Sequence, residues 1–129
     1  MREIKFRAWL NPTKQMAKVT EIKLEGENTF RVLTPDNQVI WFGGENPNAI
    51  VMQFTGLLDK NGKPIYEGDI IRYNIGLHYP TSISSIEFLN GWFKRYKEGG
   101  TDILQYTENY AEIIGNIYEN SALLEEATV

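Results

Sequence analysis

Asp59-Lys60-Asn61-Gly62-Lys63-Pro64-Ile65-Tyr66-Glu67-Gly68-Asp69-Ile70-Ile71-Arg72-Tyr73 reads as a tight turn, a short extended link, a second turn and the entry to a strand. Asn61-Gly62 calls for a turn with positive φ at both central positions, where Gly62 has no side chain to clash. Pro64 fixes its own φ and keeps Lys63 extended. Asp59 stands where a side-chain oxygen can accept turn amides, and Asp69, after Gly68, where one can accept N–H groups at the start of a strand. The adjacent apolar pair Ile70-Ile71 reads as a strand covered on both faces. Asp59, Asn61, Gly62, Pro64, Gly68 and Asp69 are therefore read as structural turn positions in a small β-rich body.

The flanking sequence carries the same grammar. Ile4, Phe6 and Ala8 alternate with Lys5, Arg7 and Trp9, a strand pattern ended by Asn11-Pro12-Thr13-Lys14. Residues 16–24 read as one further, less regular strand. Thr34-Pro35-Asp36-Asn37 links two apolar runs as a hairpin. Residues 76–85 read as irregular, and Asn90-Gly91 breaks the run 86–96 into a second hairpin. Across 110–118, Ile113 and Ile117 fit a helical spacing, while Ala111, Ile113, Gly115 and Ile117 fit a strand. The β-branched isoleucines and Gly115 favour the strand. Asn120-Ser121 is positioned to cap a short helix, Ala122–Glu126. The fold class is mainly β, a β-rich α+β chain. Residues 43–48 are the most loop-like stretch and divide an N-terminal β lobe, 1–48, packed on or continuous with the rest, from a β-barrel-like core with a short terminal helix, 49–129.

Composition narrows the chemistry. The 129 residues contain no cysteine, which removes disulfides, thiolate nucleophiles and Cys-based zinc sites. The start has no apolar signal core, and no run approaches the ~20 apolar residues of a spanning helix. The expected location is the cytoplasm of a bacterial host cell, with no membrane partner. The net charge of −4 is uneven: residues 1–24 carry six Lys/Arg against two Glu, and 98–129 carry seven acids and no Lys or Arg. Opposite ends of opposite sign fit head-to-tail pairing of like chains, or a tail that covers its own basic face. His78 is the single histidine and cannot build a multi-histidine metal site within one chain.

Four blocks, in order, carry a family likeness: Arg2-Glu3-Ile4-Lys5-Phe6-Arg7-Ala8-Trp9, Met52-Gln53-Phe54-Thr55-Gly56-Leu57, residues 59–73, and Glu112-Ile113-Ile114-Gly115-Asn116-Ile117-Tyr118-Glu119-Asn120. Together they span almost the whole chain, which resembles the YopX family of bacteriophage and prophage proteins. Leu10 departs from the pattern, where an acidic residue is expected after Ala8-Trp9. The resemblance implies a small, mainly β phage or prophage protein and no particular activity. More loosely, the C-terminal half resembles small SH3-like barrels, which host nucleic-acid, peptide and purely structural roles.

Two basic-aromatic sets are binding candidates. Lys5, Arg7 and Trp9 share a face of an alternating first strand, near Arg2 and Lys14. Trp92, Lys94 and Tyr96 alternate with Phe93, Arg95 and Lys97. Cations that grip phosphate beside an aromatic that stacks make a single-strand platform; the same pattern also arises when the aromatics pack in the core and the bases reach out at its rim. Asp59, Glu67 and Asp69, with Glu112, are the acids that could hold Mg²⁺ if their oxygens converge. Gly43-Gly44, Thr55-Gly56 and Gly99-Gly100-Thr101 lack the lysine of a phosphate loop. The function read from the sequence is a non-enzymatic phage or prophage accessory protein acting by macromolecular interaction or self-assembly. It has no catalytic residue, metal or cofactor, and is a homo-oligomer with a host or phage protein as further partner. A nucleic-acid binder is the alternative and a metal-assisted hydrolase the second.

Overall fold

The computed structural model describes residues 3–26, 30–42, 48–74, 76, 80–89, 92–97, 100–103 and 107–126, the side chains of 89, 92–97, 100–103, 107, 108 and 126 excepted. The fold is mainly β, with a short C-terminal helix. Glu3–Gln53 form one compact unit and Phe54–Val129 a second. Most of the expected boundary loop, 43–47, lies outside the described residues, as do Arg2 and His78. No described helix is long and apolar enough to cross a membrane.

The first unit begins with β1 (Phe6–Leu10) and β2 (Gln15–Lys18), then β3 (Glu21–Leu24), β4 (Phe30–Leu33), β5 (Val39–Phe42) and the start of β6 (Ala49–Leu58). β1 lies between β2 and β6, antiparallel to both, in a sheet that curls as a half-barrel. β3, β4 and β5 form a separate three-stranded sheet. Ala8, Leu10 and Ala49 make the core, and Ala17, Val19, Val51, Ile40 and Phe42 pack on it. Residues 16–24, read as one strand, are two. The chain leaves β2 at Val19, which packs in that core, and Thr20 donates both its N–H (2.8 Å) and its hydroxyl (3.1 Å) to the Leu33 carbonyl at the start of the other sheet. A strand that changes sheets this way buries one residue at the corner and shows no break in its apolar pattern.

The second unit takes the end of β6, β7 (Pro64–Tyr66), β8 (Asp69–Tyr73), β9 (Ser82–Leu89), β10 (Trp92–Lys97), β11 (Gly100–Ile103), the helical turn α1 (Thr107–Tyr110), β12 (Ala111–Asn116) and α2 (Ala122–Glu126). Strands β8 to β11 form a meander, α1 turns the chain, and β12 returns beside β8, giving the order β11-β10-β9-β8-β12. That is the SH3-like arrangement, and Ile65, Ile71, Tyr73, Ile86 and Ala111 form its core. Each buried isoleucine contributes about 1.5–3 kcal/mol of transfer free energy. Residues 82–85, read as irregular, belong to β9. Ser84 and Ser85 pair with Ile71 and Ile70, so sheet pairing overrides the weak strand preference of serine.

Two hairpins use the same three-residue loop. Asn37 N–H donates to the Thr34 carbonyl (3.0 Å) and Thr34 N–H to the Gln38 carbonyl (3.1 Å). Gly62 N–H donates to the Asp59 carbonyl (3.0 Å) and Asp59 N–H to the Lys63 carbonyl (2.8 Å). Only the last loop residue is left-handed in each, Asn37 at φ 63° and Gly62 at φ 79°. Asn61 therefore does not adopt the positive φ read for it. Its N–H is held by the Asp59 carboxylate (2.8 Å), which keeps the first turn right-handed.

Candidate interaction surface

Among the residues singled out for binding, Trp9 sits on β1 between Met16 of β2 and Ile50 of β6, and is 6% exposed. A central strand covered on both faces gives its indole no open side for a stacked base. Arg7 is half-buried on the same strand, and Lys5 pairs with Glu3 at 3.6 Å. On β10, the register sets Trp92 opposite Leu89, Lys94 between Glu87 and Ile103, Arg95 between Ile86 and Asp102, and Tyr96 opposite Thr101. The Lys5–Trp9 segment and the Trp92–Tyr96 segment belong to different units.

The acids do structural work where they are described. Asp59 is 2% exposed. Its Oδ1 accepts the Asn61 and Lys63 amides at 2.8 and 2.9 Å, and its Oδ2 accepts the Ile113 amide at 3.1 Å. Burial alone would raise its pKa; the three backbone donors and the nearby Lys63 charge outweigh that and hold the carboxyl below its ordinary value. Asp69 Oδ2 accepts the Tyr66 N–H at 2.8 Å across the Glu67-Gly68 turn, where Gly68 adopts φ 83°. Glu112 points elsewhere, to Lys60 (3.6 Å) and Arg72 (3.5 Å). Among the described residues no three of His, Cys, Asp and Glu gather as a cation site. Thr55 is likewise a framework residue: its hydroxyl donates to the Ile65 carbonyl (2.8 Å) and accepts the Leu57 N–H (3.1 Å) where Gly56, at φ 87°, bulges β6.

The residue that the sequence reading passed over is Trp41. In the three-stranded sheet, Leu24–Phe30–Phe42 and Ile22–Val32–Ile40 form cross-strand rows on one face. Phe30 and Phe42 stack there at 5.2 Å and Val32 is fully buried. The opposite face carries the rows Lys23–Arg31–Trp41 and Glu21–Leu33–Val39. Trp41 and Val39 are each 46% exposed. The two cations beside them stand with two acids: Glu25 lies 3.3 Å from Arg31 and 3.9 Å from Lys23, and Glu21 shares the face. The face is thus an aromatic and aliphatic patch with a charge-balanced border, the composition of a protein contact. A phosphate-gripping surface would keep its bases open.

The family profile described as YopX protein matches residues 5–125. Among solved structures, protein EF1440 from Enterococcus faecalis is 28% identical with a TM-score of 0.65, covering 96% of this chain and 99% of that one. Protein yopX from Bacillus subtilis is 21% identical with a TM-score of 0.63, again over 96% and 99%. No curated protein matches the chain.

Proposed function

The chain belongs to the YopX family of bacteriophage and prophage proteins, and from that premise we propose that it is a non-enzymatic accessory protein that works by contact with other protein molecules, anchored on Trp41 and Val39. One observation carries this reading. Two large apolar side chains lie exposed side by side on the face opposite the buried Val32 and the Phe30–Phe42 stack, and the cations beside them have acidic neighbours. A half-exposed tryptophan ringed by polar side chains is the composition of a binding hot spot, and it holds little value for a monomer. The engagement of both Asp59 oxygens by backbone amides supports a structural role for that acid over metal-assisted hydrolysis. The burial of Trp9 weighs against a base-stacking platform on β1.

A photo-reactive amino acid placed at position 41 and activated in a lysogenic cell tests the reading. A discrete protein adduct that is missing when the same group stands at Lys63 is the expected result. No protein adduct, together with salt-dependent binding of single-stranded oligonucleotide by the purified chain, would replace protein contact by the nucleic-acid alternative.

A further inference from the structure

β5 is the end strand of its sheet. The Thr34 N–H to Gln38 carbonyl bond sets the phase of the ladder. Backbone groups of Gln38, Ile40 and Phe42 face β4; by antiparallel alternation those of Val39 and Trp41 face outward. Among the described residues these outward groups meet no partner. Two other described edges are guarded. β3 carries Glu21 and Lys23. The outer side of β12 is closed by the Lys60 amide on the Ala111 carbonyl (2.8 Å) and by Asp59 on the Ile113 amide. β5, Val-Ile-Trp-Phe, has no charge and no proline, the devices that keep an edge from pairing.

We propose that β5 pairs antiparallel with β5 of a second copy about a two-fold axis at Ile40. This deepens the protein-contact reading above and rests on it. In that register Val39 faces the partner's Trp41 and exchanges both backbone hydrogen bonds with it, and Trp41 does the same with the partner's Val39. The outward groups of both strands are satisfied by the same residues that are left exposed on the face. The fit is therefore self-complementary: Val and Trp flank Ile40 symmetrically, and each large exposed side chain covers its counterpart. With Glu21 and Glu25 balancing Lys23 and Arg31, two copies meet without a block of like charge. The same register brings the partner's Phe42 beside Gln38, at an apolar cavity of about 230 Å³ lined by Leu10, Pro12, Val39 and Ile40. A single strand pair buries far less than the ~1,600 Å² of a standard interface, so the dimer is weak and controlled by concentration.

The cysteine-free chain allows a direct test with single-cysteine variants. Ile40→Cys lies on the axis in a non-hydrogen-bonded pair, where Cα atoms approach to about 4.5 Å, within disulfide reach. It should form disulfide dimers at least about tenfold faster than Glu21→Cys on the guarded edge, whose Cα atoms stay beyond disulfide range. In sedimentation velocity the wild type should shift from monomer to dimer as concentration rises. Val39→Pro deletes one outward N–H without touching the β4 ladder, and should weaken that dimer roughly tenfold or more, while Val39→Ile retains it. Equal cross-linking of the two cysteine variants overturns the β5 pairing even if the proline variant fails to fold. A wild type that stays monomeric at every concentration, or a dimer that Val39→Pro leaves intact, also overturns it. If the position-41 adduct with a different protein persists in any of those cases, the contact face stands and only the second copy is wrong.

Discussion

The Asp59 carboxylate meets the Ile113 amide at 3.1 Å across 54 residues of chain. With the Lys60 amide on the Ala111 carbonyl, this docks the 59–63 hairpin loop along the outer edge of β12. One side chain thus shapes its own turn and closes a sheet edge. Asp59→Ala removes all three acceptor bonds and leaves the Ile113 N–H on a half-buried strand without its partner. The expected loss is about 2–4 kcal/mol in urea unfolding, with Asp59→Asn losing less because it keeps one carbonyl oxygen. A loss below about 0.5 kcal/mol would mean that the edge closes without the acid.

The same bonds set a pH dependence. Burial pushes the Asp59 pKa up, and the Ile113, Lys63 and Asn61 amides, aided by the Lys63 charge, bring it down below the ordinary value. A carboxyl with a depressed folded pKa contributes stability that is complete above its unfolded pKa, about 3.9, and is lost as pH falls through the folded value. Urea midpoints of the wild type should therefore converge on those of Asp59→Asn as pH drops below about 4. A gap that stays constant through that window would show that ionisation of Asp59 is not what stabilises the loop.

Gly115 and Asn120 form a second lock, a local one five residues across. Gly115 follows the bulge at which β12 shifts register between Ile113 and Gly115. A Cβ there would stand 2.5 Å from Asn120 Oδ1 and 2.8 Å from Asn120 Cβ. The Asn120 oxygen in turn accepts the Asn116 amide at 3.2 Å, and Asn116 Oδ1 accepts the Tyr118 and Glu119 amides. Gly115→Ala must displace the whole Asn120 side chain, at about 1–3 kcal/mol. The double variant Gly115→Ala with Asn120→Ala should recover part of that, because the obstacle is gone. Strict additivity in the double-mutant cycle would show that the two residues do not couple.

What the sequence made legible was local. Turn residues and period-two patterns marked the hairpins, the β-rich class and the helix Ala122–Glu126, because each is set by neighbours within a few positions. Trp9 and Trp41 show where that information ends. Trp9 alternates with Lys5 and Arg7 as a surface residue would, yet β1 runs between two partners and both its faces are covered. Val39-Ile40-Trp41-Phe42 is an unbroken apolar run, so no periodicity says which side faces out. The choice is made by Phe42 stacking on Phe30 and Ile40 pairing with Val32, which turns Val39 and Trp41 to the surface. The two-sheet path of residues 15–24 and the reach of Asp59 to Ile113 are likewise decided by pairing across the chain.

Those two tryptophans give the sharpest contrast in outcome. Trp9→Ala empties a buried site between Met16 and Ile50 and should cost about 3–5 kcal/mol in the urea unfolding of dilute protein. Trp41→Ala removes a side chain that is nearly half in water, and in the same experiment should change stability by no more than about 0.5 kcal/mol. Association should reverse the order. Trp41→Ala should weaken self-association roughly tenfold or more, as truncation of a hot-spot aromatic does, while any effect of Trp9→Ala should follow from its loss of folded protein. A Trp41→Ala variant that loses several kcal/mol as a dilute monomer would place the indole in the fold's own packing and take away the anchor of the contact face.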